Sequence, residues 1–507
     1  MRWARWCSLV VAAVLVAAGC SDGGDDPSTG DVGAATPTEV TSTTTAPRQI
    51  PDGPSSALSA LEGGDDIALA SAQRSADLED AGYEELELTA SGTATSYASA
   101  GPLPTDGRFV LAPDQEADYT TRIIVRRPED PAAFDGTVVV EWLNVSGGAD
   151  AAPDYAYTAA EILREGSVWV GVSAQRIGVE GGPVAVSAGN GDAGTGLKGI
   201  DPDRYGELVH PGDAFSYDIY SQVGRAVRGT DPSSPLAGLD VRQVLAMGES
   251  QSAFALTTYV NGVQPLTGVF DGFLVHSRGG AAAPLSTPGG YIDIGGSLGG
   301  APTQIRSDLD VPTMIVQTEG DVLGILGYLP ARQDDSEVVR LWEVAGAAHA
   351  DKFQVGDFEE QLGCATPINR GQQVFVLRAA LHHLSIWASG GDAPPSADRL
   401  QVEGEGAEAA YVLDEQGNVV GGVRTPAVDA PVDVLSGRAP AGASIICLLF
   451  GSTTPIDPAQ LSVLYTDASA YEQAYEGAAD AAIAAGFVLD ADRAELLADA
   501  HPDRIPT

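Results

Sequence analysis

Positive charge is scarce in this chain: 27 Lys and Arg stand against 70 Asp and Glu over 507 residues, a formal net charge of −43. No basic stripe exists to neutralise phosphates, which argues against nucleic acid as a partner. Acidity of this size reads as solubility or adaptation to salt before it reads as a site for a cationic substrate. Cysteine is scarce too, at four residues. No C-x-x-C pair and no zinc spacing occurs, so neither a metal nor a cofactor is expected. The apolar runs are short, and none reaches the about 20 residues that span a bilayer. No internal repeat is evident, which sets solenoids and propellers aside.

What is present begins with a secretion signal. Arg2 and Arg5 precede a short apolar core, which ends in Val16-Ala17-Ala18-Gly19-Cys20-Ser21. Small residues before a cysteine at this distance resemble a bacterial lipobox. The resemblance implies removal of residues 1–19, lipidation of Cys20, and an exported protein whose only hold on the cell membrane is its lipid. Residues 20–63 are rich in Gly, Pro, Ser, Thr and Asp. They lack the apolar residues that offset chain entropy and are expected to form a disordered tether. Residues 64–507 are long enough for a large core. Cys7 leaves with the signal and Cys20 takes lipid, so Cys364 and Cys447 remain as an even pair in an exported protein. A disulfide between them is expected. It would close a loop of about 80 residues, worth roughly 4 kcal/mol.

Apolar and alternating runs bounded by turns predict strands at 85–90, 119–126, 137–143, 167–173, 241–247, 269–276, 313–318 and 338–344. Helical patterns lie between them at 155–164, 217–228 and 250–260. This alternation predicts an α/β fold with a mostly parallel central sheet and helices on both faces. Three Gly- and Pro-rich insertions, 178–215, 279–309 and 320–337, follow strand ends. They are expected to roof the site as loops, not as a helical lid. A C-terminal extension adds helices at 372–387, 471–485 and 491–500, and a hairpin near 411–423 that turns at Gln416-Gly417-Asn418.

The richest stretch follows the strand at 241–247: Gly248-Glu249-Ser250-Gln251-Ser252, with a helical pattern at once behind it. Strand, sharp turn and helix make a nucleophile elbow, in which strain lifts the Ser250 hydroxyl clear of the sheet. The usual pattern is G-x-S-x-G, and Ser252 stands where the second glycine would be. A serine nucleophile needs a base and a group that orients the base. Among the histidines after Ser250, His276 closes a strand too early in the chain. His382 and His383 sit in an amphipathic helix and read as structural, and His501 lies in a polar tail. His349 follows the last predicted core strand through Ala345-Gly346-Ala347-Ala348, where a flexible glycine would let the ring swing over Ser250. The acid should follow the preceding strand, which ends in Glu319-Gly320-Asp321. Asp321 is favoured by its spacing, with Glu319 as the alternative. Two N–H donors are needed for an oxyanion: Gln251, after the nucleophile, and a residue of the loop Asn144-Val145-Ser146-Gly147-Gly148. Val145 is preferred and Ser146 is close behind. Arg278, at the end of another strand, is a candidate clamp for a substrate carboxylate or carbonyl, with a structural ion pair as the alternative.

Gly248–Ser252, Asn144–Gly148, Glu319–Asp321 and Glu343–Asp351 together resemble the α/β-hydrolase superfamily. More narrowly they resemble a group of exported bacterial alpha/beta hydrolase domain-containing proteins. The likeness takes in Asp201-Pro202-Asp203-Arg204-Tyr205-Gly206 and Cys447-Leu448-Leu449-Phe450-Gly451. It implies the α/β-hydrolase fold with loop-type cap insertions and a Ser–acid–His hydrolase, without naming a substrate. The expected function is an exported serine hydrolase that cleaves a small or polymeric carboxylic ester through Ser250, Asp321 and His349. Acyl transfer or amide cleavage would run on the same residues. A non-catalytic binding lipoprotein on the same scaffold is the reading of another class.

Overall fold

The computed structural model describes residues 48–64, 66–71, 77–186, 194–229 and 234–506. The expected signal, Cys20 and the tether before residue 48 lie outside them. Nine strands form the main sheet: β1 (Ala57–Ala60), β2 (Tyr83–Ser99), β3 (Leu111–Pro128), β4 (Thr137–Trp142), β5 (Val168–Val172), β6 (Gln243–Glu249), β7 (Gly272–His276), β8 (Thr313–Thr318) and β9 (Val339–Val344). Their order is β1-β2-β3-β5-β4-β6-β7-β8-β9. The pairs from β5 through β9 are parallel, while β1, β2 and β3 add an antiparallel wing. Each strand expected from sequence is present, and β2 and β3 run well beyond the predicted ranges as one long ribbon.

The parallel strands read as near-continuous apolar runs because both faces are covered. Successive residues feed opposite cores. Val138, Val140, Val244, Ala246, Phe273 and Val275 pack on one face against Tyr217, Tyr220 and Val223 of the helix Ser216–Arg228. Val139, Leu245, Met247, Leu274 and Met314 pack on the other against helices Pro153–Glu165 and Gln373–Ala388. Strand order reverses at β4, which has β5 on one side and β6 on the other. The carboxyl ends of β4 and β6 therefore border a crevice of the kind where open α/β sheets bind ligands. Among the described residues, no helix is long and apolar enough to cross a membrane.

Three expectations need correction. The tether does not run to residue 63 as disordered chain. β1 pairs with β2 from Ala57↔Ser91 to Ala60↔Leu88, and the Arg48 guanidinium lies 3.1 Å from the Asp271 carboxylate. β1 is a four-residue edge strand, Ala57-Leu58-Ser59-Ala60, too short to show the apolar alternation that would have marked it. The insertions are not purely loop: they carry the short helices Arg176–Glu180, Gly196–Ile200, Pro202–Tyr205 and Ile294–Leu298, each too brief to leave a periodic pattern. The C-terminal extension also contains two small sheets. One pairs β10 (Val402–Glu403) with β11 (Ala410–Tyr411), and the other pairs β12 (Asp433–Ser436) with β13 (Ser452–Pro455). The turn at Gln416-Gly417-Asn418 is present, with Asp414 accepting the N–H groups of Gln416 and Asn418 at 3.0 and 2.9 Å. Cys364 and Cys447 are disulfide-bonded, with their Cα atoms 5.6 Å apart.

Candidate active site

Ser250 is the single residue between β6 and the helix Gln251–Thr258, at φ 57° and ψ −117°. Such backbone costs a non-glycine residue on the order of 1–3 kcal/mol and persists only where its surroundings enforce it. Gly248 shows the enforcement, because a Cβ there would stand 3.0 Å from both Leu256 Cδ1 and Ser252 Cβ. Ser252 is fully buried in that contact, so serine fills the place of the second glycine while strand and helix stay close.

The last parallel strand brings in the base. His349 Nε2 lies 2.9 Å from Ser250 Oγ, and its Nδ1 lies 2.7 Å from Asp321 Oδ1. With Nδ1–H donated to the carboxylate, Nε2 is left to accept the serine proton. The second oxygen of Asp321 accepts the Thr318 N–H at 2.7 Å and the hydroxyls of Thr318 and Ser277 at 2.8 Å. Burial pushes the Asp321 carboxyl up, but these donors and the His349 ring hold it below its ordinary value. Burial pulls the His349 imidazole down, and Glu249 and Asp321 together push it above its ordinary value.

Glu319, the alternative acid, faces elsewhere. Its carboxylate accepts the N–H of Gly346 and, at 2.9 Å, that of Gly437. Gly346 is therefore no hinge. It takes φ +69° to turn the chain after β9, Glu319 holds its N–H, and Asn369 Nδ2 donates to its carbonyl at 3.0 Å. The loop is pinned further along by Ala350 N–H, which donates to the Leu449 carbonyl at 3.1 Å. Leu449 lies in the helix Ile445–Phe450 that also carries Cys447, so the disulfide staples the platform under His349.

On the β4 loop, the Ser146 N–H is already donated to Asn144 Oδ1 at 2.8 Å. Among the described residues, the Val145 N–H meets only Gln251 Oε1, at 3.5 Å, the long limit of a hydrogen bond. Gln251 opens the elbow helix, whose first N–H groups have no partner within the helix. Val145 and Gln251 are thus the two donors beside Ser250 with capacity to spare.

Other sequence candidates stand apart. Arg278 is fully buried, and its guanidinium donates to the carbonyls of Gly279, Gly280 and Thr303. It ties down a roof loop and, among the described residues, faces no carboxylate within ion-pair range, so neither the substrate clamp nor the ion pair describes it. His276 Nδ1 sits 2.8 Å from Asp154, His382 Nδ1 sits 2.8 Å from Glu161, and His383 Nε2 sits 2.8 Å from the Gly486 carbonyl. Among the described residues, Glu161, Glu165 and His382 form a group with ligand atoms close enough to hold a metal ion. Glu161 there is already engaged by Arg164 and His382.

Three contributors escaped sequence reasoning. Glu249, the variable residue of the elbow, places Oε1 3.2 Å from His349 Nε2. Asn144 Nδ2 holds Glu249 Oε2 at 3.2 Å and the Glu249 carbonyl at 3.0 Å. Ser277, at φ 51°, supports Asp321. The first of these was within reach, since a residue beside an elbow serine lies beside its base. The others depend on register between strands.

A family model described as an alpha/beta hydrolase domain matches residues 45–498 of the chain. No curated protein matches it. Solved structures similar to it include a fungal esterase from Rhizomucor miehei, at 12% identity and TM-score 0.30, over 60% of this chain and 83% of that one. A second esterase aligns at 15% identity and TM-score 0.32, over 62% and 82% of the two chains. A glucuronoyl esterase from Solibacter usitatus aligns at 10% identity and TM-score 0.28, over 59% and 84%.

Proposed function

The chain belongs to the alpha/beta hydrolase domain family, and from that premise we propose that it is a serine hydrolase acting on carboxylic esters. The observation that carries the reading is the unbroken line from Asp321 through His349 to Ser250, at 2.7 and 2.9 Å, ending on a strained elbow. Ser250 Oγ attacks the acyl carbon while His349 Nε2 takes its proton. The negative charge that grows on the carbonyl oxygen is met by the N–H groups of Gln251 and Val145, with the Gln251 side chain yielding the latter. His349 then protonates the leaving alcohol, and the acyl group rests on Ser250. Water attacks the acyl carbon as His349 takes its proton, and His349 returns that proton to Ser250 Oγ as the bond to the acyl group breaks and the acid leaves. Asp321 keeps Nδ1 protonated and balances the imidazolium throughout.

The test is labelling with a fluorophosphonate probe alongside hydrolysis of p-nitrophenyl esters of rising chain length. A label on Ser250 and turnover that disappears in Ser250→Ala support the reading. A folded wild type that takes no label and cleaves no ester overturns it, and leaves the binding-protein reading.

Export and anchoring are a separate proposal, supported by sequence alone. Lipidated Cys20 holds the enzyme at the membrane, and Cys20→Ser releases it into the soluble fraction with activity unchanged. Continued membrane association of that variant counts against it.

A further inference from the structure

Glu249 is the last residue of β6 and stands beside the nucleophile, almost fully buried. Its carboxylate has two neighbours within reach. Oε2 accepts from Asn144 Nδ2 at 3.2 Å, and Oε1 lies 3.2 Å from His349 Nε2, the nitrogen that also faces Ser250 Oγ at 2.9 Å. One imidazole nitrogen thus has two oxygens against it. In the resting state Nε2 carries a lone pair, which takes the serine proton as a hydrogen bond and offers a carboxylate nothing. Once His349 has taken that proton, Nε2–H needs an acceptor, and Glu249 is already in place. Asp321 serves the opposite edge of the ring.

We propose that Glu249 acts through His349 as a positioning residue: its carboxylate accepts the Nε2–H that the imidazole acquires from Ser250. The inference rests on the Ser250–His349–Asp321 reading above and adds a second anion to it. Asn144 holds Glu249 in turn, so the β4 loop that bears Val145 and the base on the far side of the crevice are joined through one carboxylate. The proton moves from Ser250 Oγ to Nε2 and on to the leaving oxygen. Glu249 gains and loses no proton in the step.

The groups facing Glu249 are few and come from every neighbouring element. They are His349 from the loop after β9, His276 from the end of β7, Asp321 from the turn after β8, and Asp154 and Tyr157 from the helix Pro153–Glu165. Burial drives the Glu249 carboxyl up to about 7, with the two imidazoles pulling it down and the two aspartates pushing it up. Each group acts on the other: the Glu249 carboxylate pushes the His349 imidazole up, and the imidazole pulls the Glu249 carboxyl down.

The sign of the effect follows. An anion beside Nε2 favours the imidazolium, so removing it lowers the pH at which His349 picks up its proton. In Glu249→Gln the acid limb of kcat/KM should move down by about one pH unit, and the plateau kcat should fall by about tenfold as the imidazolium formed in the reaction loses a partner. Glu249→Asp keeps the charge at a greater distance and should fall between. If Glu249→Gln fails to fold, Glu249→Asp is read against the wild type in the same way. The low-field proton resonance of His349 Nδ1–H gives the same titration without turnover, so it reports even if the hydrolase reading fails. In that case fluorophosphonate labelling and ester cleavage are absent from the wild type while the His349 midpoint still drops in the variants. An acid limb and a His349 midpoint that stay in place in folded Glu249 variants overturn the inference. A merely structural role would move the melting temperature and leave both titrations where they are.

Discussion

The carboxylate of Glu319 accepts the N–H of Gly346, three residues before His349, and so grips the loop that carries the imidazole without touching the imidazole itself. Asp321, two residues on, touches the ring and not the loop. The two neighbouring acids have divided orientation of the ring from support of its backbone.

That division predicts an order of damage. Asp321→Asn leaves Nδ1 facing an amide and should cost about three to four orders of magnitude in kcat. Glu319→Gln keeps one acceptor and loses its charge, so activity should fall far less while stability drops by roughly 1–3 kcal/mol. Steady-state kinetics and thermal melts of the two variants check this, and the reverse order in kcat would make Glu319 the orienting acid.

The elbow predicts sensitivity at a residue that does no chemistry. Gly248→Ala puts a methyl 3.0 Å from Leu256 Cδ1 and Ser252 Cβ, so the strand or the helix must shift and displace Ser250. Activity should fall by about 100-fold, since small misplacements of reacting atoms cost that much, while circular dichroism stays close to wild type. Full activity in Gly248→Ala would show that the contact relaxes without moving the hydroxyl.

Histidine replacement should separate base from scaffold. His349→Ala should remove ester cleavage. His382→Ala and His383→Ala should keep it, because their rings bond Glu161 and the Gly486 carbonyl and face no part of the elbow. Loss of turnover in a fully folded His382→Ala protein would contradict that placement.

Stability and activity should peak at different pH. The carboxyls of Glu249 and Glu319, raised to about 7, and of Asp351, raised to about 6, resist ionising in the folded state. Their unfolded forms release protons near 4, so the folded state holds more protons between these values and loses stability as pH rises through them. His276, His349 and His382 are raised as well. Their contribution is complete below about 6.5 and is lost as pH rises through the folded values. His210 and His383 are lowered and work in the opposite direction. The melting temperature should therefore be higher near pH 5 than near pH 8, whereas turnover needs neutral His349 and should rise over that interval. Melts and kcat/KM profiles that peak together would count against the raised groups.

The parts of this arrangement legible in sequence are those set by short-range pattern. The apolar runs of β4 to β9 mark a buried parallel sheet, and Gly248-Glu249-Ser250 marks a turn out of it. The spacing of Asp321 and His349 behind their strands follows from the fold type. What escaped depends on contacts distant in sequence. Gly437 meets Glu319 across 118 residues, and Asn144 meets Glu249 across 105. β1 escaped for a different reason. It is held by ladder hydrogen bonds to β2, which any residue can make, so Ala57-Leu58-Ser59-Ala60 carries no amphipathic mark. The glycine before His349 was misread because the same residue serves a hinge or a fixed left-handed turn, and only its partners tell the two apart.

The loop under His349 is fastened to Asn369 and Leu449 directly and to Gly437 through Glu319, all three later in the chain than the ring they steady. The elbow is held by residues nearer in the chain, since the Ser250 N–H donates to the His276 carbonyl at 3.0 Å. The base rests on contacts that reach about a hundred residues beyond His349, to the helix in which Cys447 is bonded to Cys364. The elbow and the ring thus depend on different stretches of the chain. A fragment that ends before Leu449 would carry Ser250 and His349 without the Leu449 carbonyl that steadies the loop of the ring.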